Sequence, residues 1–281
     1  MRVLRAVAMG GGVLALGVAG AVCVGSIRTE RDIAAFQREV AAIGADSPIP
    51  LIDDAALKAL PDPVRRYFAF AFPDGLSSAR VVRVSAEGQF RRPQTDTFSF
   101  TTSEQVIAIG EPALMFSATT PVLPGIWARA YDYFARGDME MKAKVLSLVT
   151  VVDEADTPEL NRISLRRWLL ESALFPQALV PGGPVRWEAI DATRARAVVE
   201  AGGETARMVA HFDALGRMTQ MVAEEDGDLS TPYHGSGEHV RRSDYRRIGG
   251  VMIPHAFVIS RARQGELFPF FDAVLTDIAF D

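Results

Sequence analysis

From Ala79 to the C-terminus, apolar and polar residues alternate over short stretches that are separated by turns. Val82, Val84 and Ala86, for example, alternate with Arg83 and Ser85. A period of two is typical of half-buried β-strands. Several of the turns are too short for the crossover that parallel strands require. We therefore expect an α+β protein in which about 10–12 antiparallel strands form a sheet over residues 76–281.

A helical segment, residues 29–75, precedes the predicted sheet and is expected to pack on it. Thr29 is a suitable N-cap for a helix ending near Ile43. A short helix is predicted over residues 53–60, and another begins at Pro61-Asp62-Pro63. In this last helix the apolar residues recur at i, i+3, i+4, i+7 and i+8, so one face points to a core. They are Val64, Tyr67, Phe68, Ala71 and Phe72.

One further helix, over residues 157–175, is inserted among the strands. Thr157 caps it, Pro158 is its first residue and Pro176 follows its end. Its apolar residues cover well over half of its circumference, which predicts a largely buried helix lying across a curved sheet. Residues 29–281 are thus expected to form one structural domain.

Residues 6–27 form an uncharged run of twenty-two residues that is long enough to cross a bilayer as a helix. Arg2 and Arg5 precede it, which favours a cytoplasmic N-terminus and an exported body. Residues 1–28 therefore predict an uncleaved, single-pass signal anchor in the cytoplasmic membrane, with residues 29–281 in the periplasm. A cleaved signal peptide is the alternative.

Charge and motifs exclude several classes of function. The net charge is −5, and a mildly acidic body argues against nucleic acid as a partner. Cys23 is the single cysteine, so no disulfide forms within the chain. The chain contains neither a phosphate-binding loop motif nor the H-E-x-x-H spacing of a zinc site. We expect no cofactor and no metal, and assign no catalytic residue.

Aromatic residues suggest an apolar ligand cavity between the sheet and the helices. Its candidate walls lie on a predicted strand, on the inserted helix and on a later strand. Arg167 and Glu171 are spaced i, i+4 on the inserted helix and form a candidate polar rim. The alternative is that all of these are ordinary core residues and a surface ion pair. The candidate walls are Trp127, Tyr131, Trp168 and Trp187.

Several short motifs resemble a bacterial family of unknown function whose members are often membrane-anchored. They include residues 60–68 (LPDPVRRYF), 124–130 (PGIWARA), 167–171 (RWLLE) and 175–181 (FPQALVP). The resemblance spans about residues 57–281. The chain departs from the family pattern at Tyr233, where tryptophan is usual, and in the strand of residues 257–260.

The family resemblance implies a fold similar to the LolA/LolB-like lipoprotein carriers. That fold is an incomplete antiparallel β-barrel, a strongly curved sheet that wraps a few helices. Members of that group bind lipid moieties in the cavity, so the resemblance raises the expectation of a lipid ligand.

We expect a membrane-anchored extracytoplasmic protein that binds a hydrophobic ligand, a lipid or an acyl chain, without covalent chemistry. Its partners would be the membrane, through residues 6–27, and a lipid or lipoprotein. Two rivals stay open. One is an envelope scaffold protein with a filled interior and a partner on an exposed sheet edge. The other is a hydrolase with an unrecognised site.

Overall fold

The computed structural model describes residues 2–48, 50, 54–76, 78–91, 95–224 and 238–281, with side chains from residue 16 onward. Three helices come first: α1 (Arg2–Asp46), α2 (Asp54–Ala59) and α3 (Asp62–Ala71). A fourth, α4 (Pro158–Glu171), lies between the sixth and seventh strands.

Helix α1 runs without a break through the boundary that the sequence predicted at residues 28 and 29. Thr29 is therefore not an N-cap, which corrects that prediction. Its hydroxyl instead lies buried against the sheet, where it is 3.4 Å from the Lys144 Nζ that donates to it. A threonine inside a helix costs little when its hydroxyl has such a partner.

The described residues form thirteen strands, one more than the upper end of the predicted range. In the first half they are β1 (Val81–Arg91), β2 (Phe98–Ala108), β3 (Ala113–Leu123), β4 (Ile126–Ala135), β5 (Asp138–Val145) and β6 (Val149–Ala155). In the second half they are β7 (Val185–Ala189), β8 (Arg194–Ala201), β9 (Glu204–Phe212), β10 (Met218–Ala223), β11 (His239–Ile248), β12 (Val251–Arg263) and β13 (Glu266–Phe280).

All of these strands belong to one antiparallel sheet, as the alternation predicted. The order is β6-β5-β4-β3-β2-β1-β13-β12-β11-β10-β9-β8-β7, so the first and last strands pair in the middle and β6 and β7 are the edges. Every other neighbouring pair is consecutive in the chain. The connection from β6 to β7 must therefore pass from one edge of the sheet to the other.

Helix α4 makes that passage and shows that the sheet is strongly curved. It packs against β4 and β5 in one half and against β8 and β9 in the other. Thr157 caps it as predicted, since its Oγ1 accepts a hydrogen bond from the Leu160 backbone N–H at 3.2 Å. The helix ends at Glu171, earlier than predicted, and two 3₁₀ turns (Ser172–Leu174 and Pro176–Leu179) follow it. Pro176 has no backbone N–H to donate, so the α-helix does not continue through it.

Two hairpin turns from opposite halves of the sheet meet at one end of the molecule. Gly137 lies between β4 and β5, and Gly202 lies between β8 and β9. A Cβ atom on Gly137 would lie 2.4 Å from the Cα of Gly202. Only two glycines allow backbones to come so close. This contact brings the two halves of the sheet together around α4.

Helices pack on both faces of the sheet. The inner face encloses α3 and α4 in the main core, where Trp168 and Tyr67 are fully buried. Helix α1 packs on the outer face through the apolar side of its second half, against Val106 and Met115. The apolar face predicted for α3 is therefore the one that packs.

Among the residues whose side chains are described, no helix is long and apolar enough to cross a membrane. The transmembrane helix predicted over residues 6–27 is therefore not found there. Residues 6–15 of that prediction lie outside the described side chains.

We expect Gly137→Ala to destabilise the protein more than Gly203→Ala. Both glycines have positive φ, +93° and +83°, so alanine strains either backbone by about 1–2 kcal/mol. Nothing lies within 4 Å of a Cβ on Gly203, whereas one on Gly137 meets Gly202. The clash should cost about 1–3 kcal/mol more, measured as the free energy of unfolding in urea. Equal losses in the two variants would show that the turns do not touch in solution.

Candidate functional site

The inner face of the sheet and α4 enclose a small cavity of about 40 Å³. Most of its wall is apolar and comes from the middle strands of the sheet. The alternation of these strands directs every second side chain inward, which explains why distant segments converge here. The apolar lining consists of Val84, Ala86, Phe116, Leu174, Val240, Phe257, Ile259, Phe271 and Leu275.

A largely buried polar cluster forms part of the cavity wall. Arg167 and Glu171 lie one turn apart on α4, and the Arg167 Nε donates to the Glu171 Oε1 at 2.9 Å. Arg167 also pairs with Asp132 on β4. Gln105 on β2 donates its Nε2 to the other Glu171 oxygen at 2.6 Å. The Arg167 guanidinium lies 4.3 Å above the centre of the Phe116 ring. One cation thus forms ion pairs with two carboxylates at the wall of the cavity.

The charges of this cluster depend on one another. Burial by itself lowers the pKa of Arg167, but Glu171 and Asp132 outweigh it and raise that pKa above its ordinary value. Burial raises the pKa of Asp132, and Arg167 opposes the rise. The guanidinium therefore carries its charge, and that charge stabilises the carboxylates of the buried Glu171 and the partly buried Asp132.

Arg242 on β11 is a second buried cation at the cavity, and its surroundings differ. Its residue is 6% exposed, and it donates a hydrogen bond to the backbone carbonyl of Leu170. Its Nε has no hydrogen-bond partner, and no carboxylate of the described residues forms an ion pair with it. Burial lowers the pKa of Arg242.

Glu238, directly before β11, is a further buried ionisable group. Burial raises its pKa to about 7, and the charges of Arg261 and Arg166 oppose this rise. Its Oε2 has no hydrogen-bond partner. Glu238, Val240 and Arg242 alternate along the strand, so Glu238 lies on the same face as the two residues that line the cavity.

The structure places two of the six residues predicted for the site on this cavity, Arg167 and Glu171. Trp168, between them in sequence, faces the core, where its Nε1 donates to the Ala108 carbonyl at 3.0 Å. Trp187 lies at the margin of the same core, and its Nε1 donates to the Leu179 carbonyl at 2.9 Å.

Trp127 and Tyr131 lie on the outer face of β4, away from the cavity. The Tyr131 ring packs against Phe36 of α1 at 5.7 Å and its hydroxyl bonds to Glu140. Trp127 has the same parity along β4 and therefore shares that face. Both faces of β4 are covered, by α1 and by α4, so its alternation did not show which face is inward.

Sequence reasoning missed Gln105, Asp132 and Arg242. Gln105 follows four polar residues (101–104), and Asp132 lies between two tyrosines, so both look like ordinary exposed positions. For Arg242 a signal existed, since it has the same parity as Val240 in the strand. The following residues (Ser243, Asp244 and beyond) are so polar that the strand looks solvated.

The chain forms a single antiparallel sheet with a few helices, and it belongs to a family of unknown function, DUF6920, which it matches over residues 58–280. No curated protein matches it. The predicted resemblance to a family of unknown function, over about residues 57–281, is confirmed to that extent.

Two solved structures are similar in their chain course. A DUF1329 family protein from Desulfovibrio piger is 13% identical, with a TM-score of 0.42 over 78% of this chain and 94% of that one. A β-barrel-like protein of domain DUF1849 from Brucella abortus is 8% identical, with a TM-score of 0.25 over 72% and 98%. With TM-scores this low, neither protein informs the function of this chain.

Removing the shared cation should destabilise the fold strongly. Arg167→Met leaves the buried Glu171 and the partly buried Asp132 without their partner, and breaking a buried pair in this way typically costs about 3–5 kcal/mol. Arg246→Met, which breaks the exposed pair with Asp244, is the matched control and should change the free energy of unfolding little. Urea titrations at pH 7 make the comparison, and a small loss in both variants would contradict a buried cluster.

Glu238 should make the protein less stable as the pH rises through neutrality. Its folded pKa is about 7 against an ordinary value of 4.5, so between these values the folded state keeps a proton that the unfolded state has released. The free energy of unfolding should therefore fall from pH 4.5 to pH 7, by at most about 3 kcal/mol from this group. Glu238→Gln should remove that part of the slope, measured by urea titrations at several pH values.

The control for this pH series is Glu266→Gln, at an exposed glutamate that begins β13. We expect it to retain the wild-type dependence on pH. A slope that is the same in the wild type and in Glu238→Gln would place the Glu238 carboxyl in water.

Proposed function

We propose that this protein binds a hydrophobic ligand, a lipid or an acyl chain, without covalent chemistry, between the inner face of its sheet and α4. The observation that carries the proposal is the apolar cavity that ends in buried charged groups. An apolar wall with a few convergent polar groups is the usual composition of a small-molecule site. The LolA-like half-barrel that the family resemblance implies supports the same proposal at the level of fold.

The cavity must enlarge to take such a ligand. Its 40 Å³ suffices for a few water molecules, whereas ligand cavities commonly measure about 300–1,000 Å³. Phe116, Phe257 and Phe271 line it, and rotation of these rings is the simplest way to gain space. Burial of the ligand's methylene groups, each worth about 0.8 kcal/mol, offsets the cost of rearranging the core.

We place the protein at the periplasmic face of the cytoplasmic membrane, held there through residues 6–27. The described part of that segment exposes Leu16, Val18 and Val24, and the exposed Leu148 lies beside the helix at Gly25. Apolar side chains that cluster on a surface favour contact with a membrane. A ligand that comes from a lipid bilayer or from a lipoprotein fits this location.

A photoreactive fatty acid tests the proposal on the full chain in its membrane. After irradiation, we expect the labelled peptides to come from β1, β2 and β12, whose residues line the cavity. Ala86→Leu narrows the cavity and should reduce this labelling about fivefold or more, because each lost methylene contact weakens binding several-fold. Glu87→Leu, the next residue, is exposed on the outer side and should leave the labelling unchanged.

Labelling confined to α1, or an equal loss in both variants, would contradict an interior site. Thermal unfolding of the two variants is measured first, so that a loss of folding is not mistaken for a loss of binding. Ile259→Phe, at another position of the cavity wall, is the replacement if Ala86→Leu does not fold.

An envelope scaffold is the second candidate, and two observations favour it. The interior is nearly filled, and the edge strand β6 exposes Val149 and Val151. An exposed apolar edge is a surface on which another strand can pair. If the folded protein shows no labelling of the inner face, the scaffold becomes the better proposal.

A further inference from the structure

We infer that Arg242 binds an anionic head group, a carboxylate or a phosphate, and that the ligand of the cavity is therefore an amphiphilic anion. This inference rests on the proposed function and names the class of ligand. It depends on the contrast between the two arginines that line the same cavity.

Arg167 has two bonded counter-ions. It is paired with Asp132 and with Glu171, and its guanidinium is stacked on Phe116. Its charge is already balanced by these two carboxylates, so a ligand anion would have to compete with them. Arg167 is therefore a structural cation.

Arg242 lacks such partners although it is equally deep. Its one hydrogen bond given by the structure goes to the Leu170 carbonyl, which is a neutral acceptor, and its Nε is unbonded. Glu171 attracts it through space, but the two Glu171 oxygens are bonded to Gln105 and to Arg167. A buried charge without a bonded counter-ion is costly, and proteins normally pair it. The missing partner is an anion.

The surroundings of Arg242 extend this argument. The hydroxyl of Tyr67 is fully buried and has no hydrogen-bond partner; burial raises the pKa of this phenol, and the charge of Arg242 opposes the rise. A phenol O–H is a good donor to a carboxylate or phosphate oxygen. Val240 lies two residues before Arg242 on β11, and Phe257 of β12 lies opposite Arg242. Both line the cavity. A head group at Arg242 would thus have its apolar tail against apolar side chains.

Two photoreactive probes of equal chain length, a fatty acid and the corresponding neutral fatty alcohol, test the inference on the full chain. In the wild type we expect the acid to label the inner face at about tenfold lower concentration than the alcohol, because a charge-assisted hydrogen bond is added. Arg242→Met should abolish this preference and leave labelling by the alcohol unchanged. Arg242→Lys should keep part of it, since it keeps the charge but loses the fork of donors.

Arg241→Met is the matched control, because Arg241 is the adjacent residue and is exposed on the other side of β11. It should retain the wild-type preference for the acid. Competition distinguishes the two kinds of head group. An unlabelled alkyl phosphate and an unlabelled fatty acid of the same length are each added against the probe, and the one that displaces it at the lower concentration carries the preferred head group.

Each outcome decides a different point. Equal labelling by acid and alcohol in the wild type, or an equal loss of both in Arg242→Met, overturns the role of Arg242 and leaves the cavity as a hydrophobic site. Absence of inner-face labelling by either probe overturns the proposed function itself. Arg242→Met should unfold at a temperature no lower than the wild type, since it removes a buried charge without a bonded anion. If its unfolding temperature is lower than that of the wild type, the preference for the acid is compared between Arg242→Lys and Arg241→Met instead.

Discussion

The pairing of the first strand with the last one is the interaction on which the rest of the structure depends. β1 and β13 are hydrogen-bonded from Val82 opposite Phe280 to Phe90 opposite Phe271. This pairing joins two meanders, β1–β6 and β7–β13, into one sheet and leaves β6 and β7 at its two edges. Because those strands are consecutive in the chain, the segment between them has to cross from edge to edge. Helix α4 is that segment, and the sheet curves so that both halves reach it.

The position of α4 explains why buried charges are found in the interior. A helix that crosses a concave sheet is enclosed on most sides, so even its polar residues become buried. Arg167 and Glu171 are an i, i+4 pair of the kind usually found at the surface, and here Asp132 and Gln105 of the sheet complete their hydrogen bonds. Because these hydrogen bonds are formed, the polar cluster can be accommodated in the core. Arg242, on β11 of the same cavity, is the exception, and that difference is why a functional role is assigned to it.

The two layers of helices have different consequences for the sheet. α1 packs on the outer face of β1–β4 through apolar contacts and ring packing, such as Phe36 on Tyr133 at 4.2 Å between ring centres. α3 and α4 fill the inner face and leave only the small cavity. Any ligand therefore competes with core side chains for space, and its affinity depends on how readily those side chains rearrange.

The sequence by itself determined the local structure: the period of two predicted the antiparallel strands, Thr157 and Pro158 predicted the start of α4, and the spacing of Val64 and Tyr67 predicted the buried face of α3. These features depend on nearest neighbours and on short hydrogen bonds, which a sequence records directly. The family resemblance was visible as well. Only the tertiary structure decided which face of each strand is inward, because β4 is covered on both sides and its period is the same for either choice. It also decided which polar residues meet: Gln105, Asp132, Arg167 and Glu171 come from three separate elements, and their encounter depends on the curvature of the whole sheet around α4.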